Sequence, residues 1–199
     1  MASDDIKFVD YENEKHLTEI QSLVSADLSE PYSIFTYRFF LHNWPKLCVC
    51  AFSTGENEKM IGTIVCKAEV EQGVLKGYIA MLTVNNQYRK KGIGSQLAVI
   101  GMKRMIEAGC KEIVLETEVS NVGAISLYEK MGFIKEERLA RYYLNGGDAF
   151  RLRLWVEQSD EVRDAVSSDN ITLEEKVDDT TTSMSNMSVS SEAAKETTS

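Results

Sequence analysis

The chain has 199 residues, 43% of them apolar, enough for one well-cored domain and too few for two. Its net charge of −9 is lopsided, because Glu157 to Ser199 carries eleven acidic and three basic residues and leaves a nearly neutral body. That balance argues against nucleic-acid binding through overall charge; no apolar run approaches the ~20 residues of a membrane span, and the N-terminal residues do not read as a signal peptide.

In chain order, Ile6 to Val9 reads as a short strand. Leu17, Ile20, Leu23, Val24 and Leu28 then recur at helical spacing and predict an amphipathic helix. Glu30-Pro31 breaks it, since proline disfavours the helical region for the residue before it. A second helix carries Ile34, Tyr37, Phe40, Leu41 and Trp44 on one face up to Pro45. Leu47 to Phe52, Ile61 to Val70 and Val74 to Val84 are strand candidates joined by turn-rich segments, as in an antiparallel meander. Gly92 to Ala108 is a helix closed by Gly109, Glu112 to Val119 a strand, and Ala124 to Met131 a helix ended by Gly132. Phe133 to Leu144 and Ala149 to Val156 complete the pattern as two strands joined at Asn145-Gly146-Gly147. The central strand–helix–strand crossover requires a parallel pair inside an otherwise antiparallel sheet. Residues 1–156 therefore read as one domain. Residues 157–199 are rich in Ser, Thr, Asp and Glu, lack any aromatic residue, and read as a disordered acidic tail.

Cys48, Cys50, Cys66 and Cys110 contain no CxxC and have no nearby His to complete a zinc set. They read as reduced, buried thiols of a cytoplasmic protein, and no metal site is expected. His16 and His42 fall in no motif.

The most informative segment is Gln87-Tyr88-Arg89-Lys90-Lys91-Gly92-Ile93-Gly94-Ser95, between a strand and a helix. A glycine-rich turn opening a helix presents free backbone N–H groups beside the positive end of the helix dipole, and the three basic side chains add charge. A Walker A loop is excluded by the missing Gly-Lys-Ser/Thr, and a dinucleotide fingerprint by Leu97 where it needs glycine. What remains is Arg-x-x-Gly-x-Gly.

That pattern resembles the coenzyme A pyrophosphate loop of the GNAT superfamily of acyl-CoA N-acyltransferases. A second segment, Asn121 to Phe133, is similar to that superfamily's Asn-x-x-Ala-x-x-Leu-Tyr-x-x-x-Gly-Phe signature, on the helix lining the thiol end of the cofactor. Within the superfamily, Ala26 to Ile34, Gly77 to Leu82, Leu115 to Val119 and Arg141 to Phe150 resemble the NatC-type N-terminal acetyltransferase catalytic subunits. The resemblance runs from about Ile6 to Val156 and leaves out the tail. It implies an α/β (α+β) GNAT fold: a mixed, mostly antiparallel sheet with a splayed central parallel pair and helices on both faces. It also implies acetyl transfer from acetyl-CoA to the α-amine of nascent proteins beginning with Met and a bulky apolar residue. The partners it implies are the N-termini of nascent polypeptides, a large and a small auxiliary subunit, and an indirect association with the ribosome.

An amine attacking a thioester needs a bound donor, a neutral amine, a group to stabilise the oxyanion and a proton for the leaving thiolate. The resemblance assigns cofactor contacts to the backbone of Leu82, Thr83 and Val84, to Arg89, Lys90, Lys91, Gly92, Ile93, Gly94 and Ser95, and to Asn121 and Tyr128. Tyr128 is the candidate general acid, since a phenol holds its proton at neutral pH. Glu116 is the candidate base. It shares a strand face with Glu118, a second and weaker choice. Leu28, Glu30 and Tyr32, between the first two helices, and Tyr142 and Tyr143, by the last hairpin, are candidate substrate-binding residues. Two alternatives stand beside this reading: a GNAT enzyme acting on another amine, and an acyl-CoA-binding module without catalysis, which would lack the acid and base.

Overall fold

A computed structural model describes residues 5–28, 31–54 and 58–156. The expected acidic tail, 157–199, lies outside them.

The strands are β1 (Ile6–Asp10), β2 (Val49–Ser53), β3 (Lys59–Glu71), β4 (Val74–Val84), β5 (Glu112–Glu118), β6 (Ile134–Leu139) and β7 (Ala149–Trp155). The helices are α1 (Glu14–Asp27), α2 (Ile34–Asn43), α3 (Ile93–Glu107) and α4 (Val122–Lys130), in the order expected from the sequence. Among the described residues the seven strands form one sheet, ordered β1-β2-β3-β4-β5-β7-β6. Every neighbouring pair is antiparallel except β4–β5, which the α3 crossover makes parallel. No described helix is long and apolar enough to cross a membrane.

Alternation along the strands feeds two cores, one on each side of the sheet. Val49, Ala51, Ile64 and Leu115 pack under Leu97, Ile100 and Met105 of α3. Cys48, Cys50, Phe52 and Val65 pack under Leu17, Ile20 and Val24 of α1 and Tyr37 and Leu41 of α2. All four cysteines are free and buried, and burial raises the thiols of Cys48 and Cys50 to about 12, which keeps them protonated.

Most element ends fall within two residues of the sequence reading, and two differences have a clear physical cause. Pro45–Leu47 forms a turn of 3-10 helix, so β2 starts at Val49 rather than Leu47, because proline favours a first helical position. β6 ends at Leu139 instead of reaching Leu144. Arg141 has a left-handed φ of 50°, and Asp148 accepts both from the Arg141 backbone N–H at 2.8 Å and from Arg138 at 2.7 Å. Those bonds gather residues 140–148 into a loop and withdraw Tyr142, Tyr143 and Leu144 from the ladder.

Two features of β4 position the site. Between Val65/Cys66 of β3 and Met81/Ile79 of β4 the register slips, leaving Ala80 as the extra residue of a β-bulge. The bulge resets the alternation, so that Ile79 joins the α3 core while Met81 joins the α1–α2 core. In addition, the β4–β5 ladder runs only through Lys76↔Glu112, Gly77↔Ile113 and Tyr78↔Val114. Past those pairs the two strands part.

Candidate active site

The wedge between β4 and β5 holds a cavity of about 280 Å³. Ile79 to Leu82 form one wall, Leu115 to Glu118 the opposite wall, and Tyr128 of α4 closes it beside Asn121 and Ala124. Leu28, Tyr32 and Tyr143 approach from the loops. A wider cleft of about 670 Å³ continues past Leu82, Thr83 and Val84 to Arg89, Lys90 and the start of α3. Leu28, Asp27, Glu118 and Asn121 border both spaces, so cleft and wedge are continuous along β4.

The far end of the cleft suits an anion. Asn13, Ser33 and Asn121 cap α1, α2 and α4 with side-chain acceptors, whereas α3 begins at Gly92, which has no side chain to offer. Gly92 sits at φ 81°, a left-handed conformation that a side chain resists. The first-turn N–H groups of α3 therefore meet the cleft without an internal acceptor, at the positive end of a fifteen-residue helix. Gly92, Ile93, Gly94 and Ser95 all line it. Arg89 also borders the cleft and donates to the Val84 carbonyl at 3.1 Å. Lys91 Nζ stands 5.0 Å from the centroid of the Tyr88 ring, which itself lines the cleft. Lys90, at a left-handed φ of 62°, lines the cleft.

At the wedge, Tyr128 is 4% exposed and stacks edge-on against Phe133 at 5.3 Å. Burial pushes its hydroxyl well above the phenol range, so it keeps its proton. Glu116 and Glu118 share the β5 face that borders the wedge, while Leu115 turns into the α3 core, as the strand period requires. Glu116 accepts from the Tyr78 hydroxyl at 2.8 Å and from Arg151 Nε at 2.9 Å, and Glu118 accepts from Ser120 Oγ at 3.0 Å. Asn121 caps α4 by accepting from the Ala124 N–H at 3.1 Å, which fixes the helix that carries Tyr128.

Of the candidate substrate residues, Leu28, Tyr32 and Tyr143 line the wedge. Tyr142 borders a separate cavity of about 400 Å³ on the far side of Glu116. Glu30 lies outside the described residues. Burial, and then the neighbouring phenol of Tyr142, raise the Tyr143 hydroxyl, so it too stays neutral as a hydrogen-bonding group.

Three residues that the sequence reading left without a role belong to the site. Asp27 accepts from Thr83 Oγ1 at 2.6 Å and pairs with Arg89, tying the end of α1 to both the wedge strand and the basic turn. Tyr78 and Arg151 hold Glu116. Asp27 and Tyr78 lie inside segments already singled out, Ala26 to Ile34 and Gly77 to Leu82, which was the available signal; no sequence signal marks Arg151, whose partner is 35 residues away.

Comparison with known proteins decides the family. Residues 17–133 match the model of the acetyltransferase (GNAT) family. The chain belongs to that family. This GNAT chain is 53% identical over 150 residues to the Arabidopsis thaliana N-alpha-acetyltransferase MAK3, covering 75% of this chain and 77% of the plant protein. It is 50% identical over 154 residues to the Xenopus laevis N-alpha-acetyltransferase 30, covering 77% of this chain and 55% of that one. The chain thus spans about half the length of the vertebrate relatives it matches. Among solved structures, a chain of the NatC complex bound to Gag peptide and CoA superposes with a TM-score of 0.74 at 46% identity, covering 76% of this chain and 99% of that one. Arabidopsis thaliana Naa50 in complex with a bisubstrate analogue gives a TM-score of 0.67 at 25% identity, covering 75% of this chain and 97% of that one.

Proposed function

We propose that the chain is the catalytic subunit of a NatC-type enzyme that acetylates protein N-termini, with acetyl-CoA as donor. The observation that carries this reading is the wedge itself, a cavity lined by both the Glu116 carboxylate and the Tyr128 phenol at the end of a cleft that suits an anion. The cleft residues fit coenzyme A: α3 offers unpartnered N–H groups, Arg89 and Lys90 offer charge, and a Cβ built on Gly94 meets only Val84, at 3.7 Å, leaving room for close approach. When bound, the cofactor supplies the activated acetyl group as a thioester.

The chain's own residues divide the work. The bulge at Ala80 and the parting of β4 from β5 leave β4 backbone groups along the wedge without a β5 partner, available to orient an extended ligand and its carbonyl. Glu116 takes a proton from the ammonium, directly or through one water. An α-amine with a pKa near ~8 needs only modest help at neutral pH. Tyr128 holds its proton in reserve and gives it to the departing sulfur. Leu28, Tyr32 and Tyr143 shape the entrance, and the apolar Leu28 suits a bulky second residue after Met.

The same reading carries the large and small auxiliary subunits, nascent chains as substrate, indirect contact with the ribosome and a cytoplasmic location; of these, the relatives' names and the NatC complex support only N-terminal acetylation within a complex. It also takes residues 1–156 as the catalytic domain. The presence of both Glu116 and Tyr128 on the wedge counts against a module that only binds acyl-CoA. The test is acetyl transfer by Glu116→Gln and Tyr128→Phe. Both should bind acetyl-CoA as the parent does and lose on the order of 100-fold in kcat. Full turnover by both variants would overturn the assignment.

A further inference from the structure

The last residue of α1 is a carboxylate, at the end of a helix where a negative charge is least favourable. The last turns of α2, α3 and α4 each carry a basic side chain, His42, Arg104 and Lys130. The last turn of α1 carries none and closes on Asp27. A negative charge at a helix C-terminus opposes the helix dipole, so the stability of α1 does not account for Asp27. Its bonds do. Oδ2 accepts from the Thr83 hydroxyl on β4 at 2.6 Å, and Oδ1 accepts from Nη2 of Arg89 on the basic turn. Arg89 Nε in turn donates to the carbonyl of Val84, the neighbour of Thr83, at 3.1 Å. Asp27, Thr83, Val84 and Arg89 therefore close a ring that joins the end of α1, the wall of β4 and the turn before α3.

The ring stands between the two spaces of the site. Asp27 and Leu28 border both the wedge and the wider cleft, whereas Thr83 and Arg89 border the cleft alone. Leu28 follows Asp27 directly, leaves the helix in an extended conformation and donates its N–H to the Val24 carbonyl at 2.8 Å. Whatever holds Asp27 thus holds Leu28 at the mouth of the wedge. The two anchors of Asp27 differ in firmness. Thr83 is 2% exposed, and a hydroxyl so buried needs a partner, which makes this a fixed anchor. The Arg89 side chain is 48% exposed, and an ion pair so open to water holds weakly by itself. Its guanidinium carries five N–H donors, so two bonds leave others for an anion in the cleft. An anion bound there fixes the guanidinium, and through Asp27 Oδ1 it fixes the end of α1.

We propose that Asp27 is a positioning residue shared by both substrates, transmitting occupancy of the cofactor cleft to the peptide entrance at Leu28. The proposal rests on the reading of the cleft as the coenzyme A site and of Leu28 as part of the peptide entrance. With the cofactor in place the peptide meets an entrance already ordered, so less freedom is lost when it binds. Coupling of this kind is reciprocal, and the peptide must tighten coenzyme A by the same factor.

The test is a binding square in the full chain. Calorimetry measures a Met-Leu peptide with and without saturating coenzyme A, and coenzyme A with and without saturating peptide. In the parent each ligand should tighten the other about tenfold, a coupling of ~1.4 kcal/mol. Asp27→Asn keeps the shape and an acceptor for Thr83 but removes the ion pair, so the factor should fall to within about twofold of unity. Thr83→Val removes the strand anchor and should leave a factor of about three. In turnover, both variants should lose more in peptide KM than in kcat, because Glu116 and Tyr128 are untouched. A residue that merely stabilised the fold would change Tm and leave the coupling factor at its parent value. A parent-like factor in both variants refutes the proposal. A parent that binds both ligands without coupling also refutes it, and leaves the readings of cleft and entrance standing. If the parent binds no coenzyme A, or no peptide, one of those readings fails first and this proposal falls with it. Should Asp27→Asn not fold, Thr83→Val decides alone, and an unchanged factor in it is the refuting result.

Discussion

Gly92 and Gly94 stand two residues apart at the start of α3, and substituting each with alanine should have opposite consequences. At Gly92 the φ of 81° makes alanine adopt a left-handed conformation, costing about 1–2 kcal/mol. In a domain of this size that lowers Tm by several degrees, at roughly 2–4 °C per kcal/mol. Gly94 has no positive φ, and a Cβ there meets only Val84 Cγ2, at an ordinary 3.7 Å. Nothing in the protein's own packing demands glycine at 94. Alanine is the better helix former by about 0.5–1 kcal/mol, so Gly94→Ala should raise Tm slightly. Its methyl, however, projects into the cleft where a pyrophosphate would meet the α3 backbone, and should weaken coenzyme A binding about tenfold, or ~1.4 kcal/mol. Calorimetry gives the affinity, and melting with and without coenzyme A gives stability and ligand shift together. A stabilised Gly94→Ala with a weakened ligand supports the cleft as the cofactor site. Unchanged affinity would refute the reasoning, because the glycine would then serve neither the fold nor a ligand.

Other expectations follow from particular residues. Burial raises the Glu112 carboxyl, but Lys76 at 2.8 Å and Arg153 outweigh it and hold it below the usual range. Its stabilising contribution is therefore present above a carboxylate's ordinary ~4.3 and lost as pH falls through the lower folded value. Glu112→Ala, which leaves the two cations facing each other, should cost about 3 kcal/mol at pH 7 and flatten the acid side of the Tm profile; a variant melting in parallel with the parent at every pH would contradict this. Because burial keeps Tyr128 protonated well past the phenol range, kcat should not fall on the alkaline side up to about pH 10. An alkaline limb near pH 9 would point to another acid. Truncation after Val156 should leave Tm and turnover unchanged, since every site residue named above lies at or before Arg151; a large loss of either would show that residues 157–199 serve the domain.

Much of this was legible in the sequence, for identifiable reasons. Element order follows from apolar period, and Val74–Val84 has the bounds the sequence predicts because a turn and a basic glycine-rich segment frame it. The anion cleft was legible because glycine spacing and a helix start are local features. The role of Asp27 was not, because its partners Thr83 and Arg89 lie 56 and 62 residues on and meet it only when α1 packs on the sheet. Arg151 was hidden likewise, since the pairing of β5 with β7 brings it to Glu116. The last hairpin misled because Tyr142, Tyr143 and Leu144 have strand-like composition, whereas the Asp148 bonds and the left-handed Arg141 decide the backbone.

The central claim is that the wedge transfers acetyl to a peptide α-amine, and one measurement meets it directly. The purified chain, alone and with NatC-type auxiliary subunits, is incubated with acetyl-CoA and peptides beginning Met-Leu, Met-Phe, Met-Glu or Ser-Glu, alongside a peptide with a blocked N-terminus and an internal lysine. Tandem mass spectrometry then locates any added acetyl group. Acetyl on the α-amine of the Met-Leu and Met-Phe peptides, with the blocked peptide untouched, is the predicted result. Acetylation of the lysine alone, or of no peptide by a chain that binds coenzyme A, would contradict it.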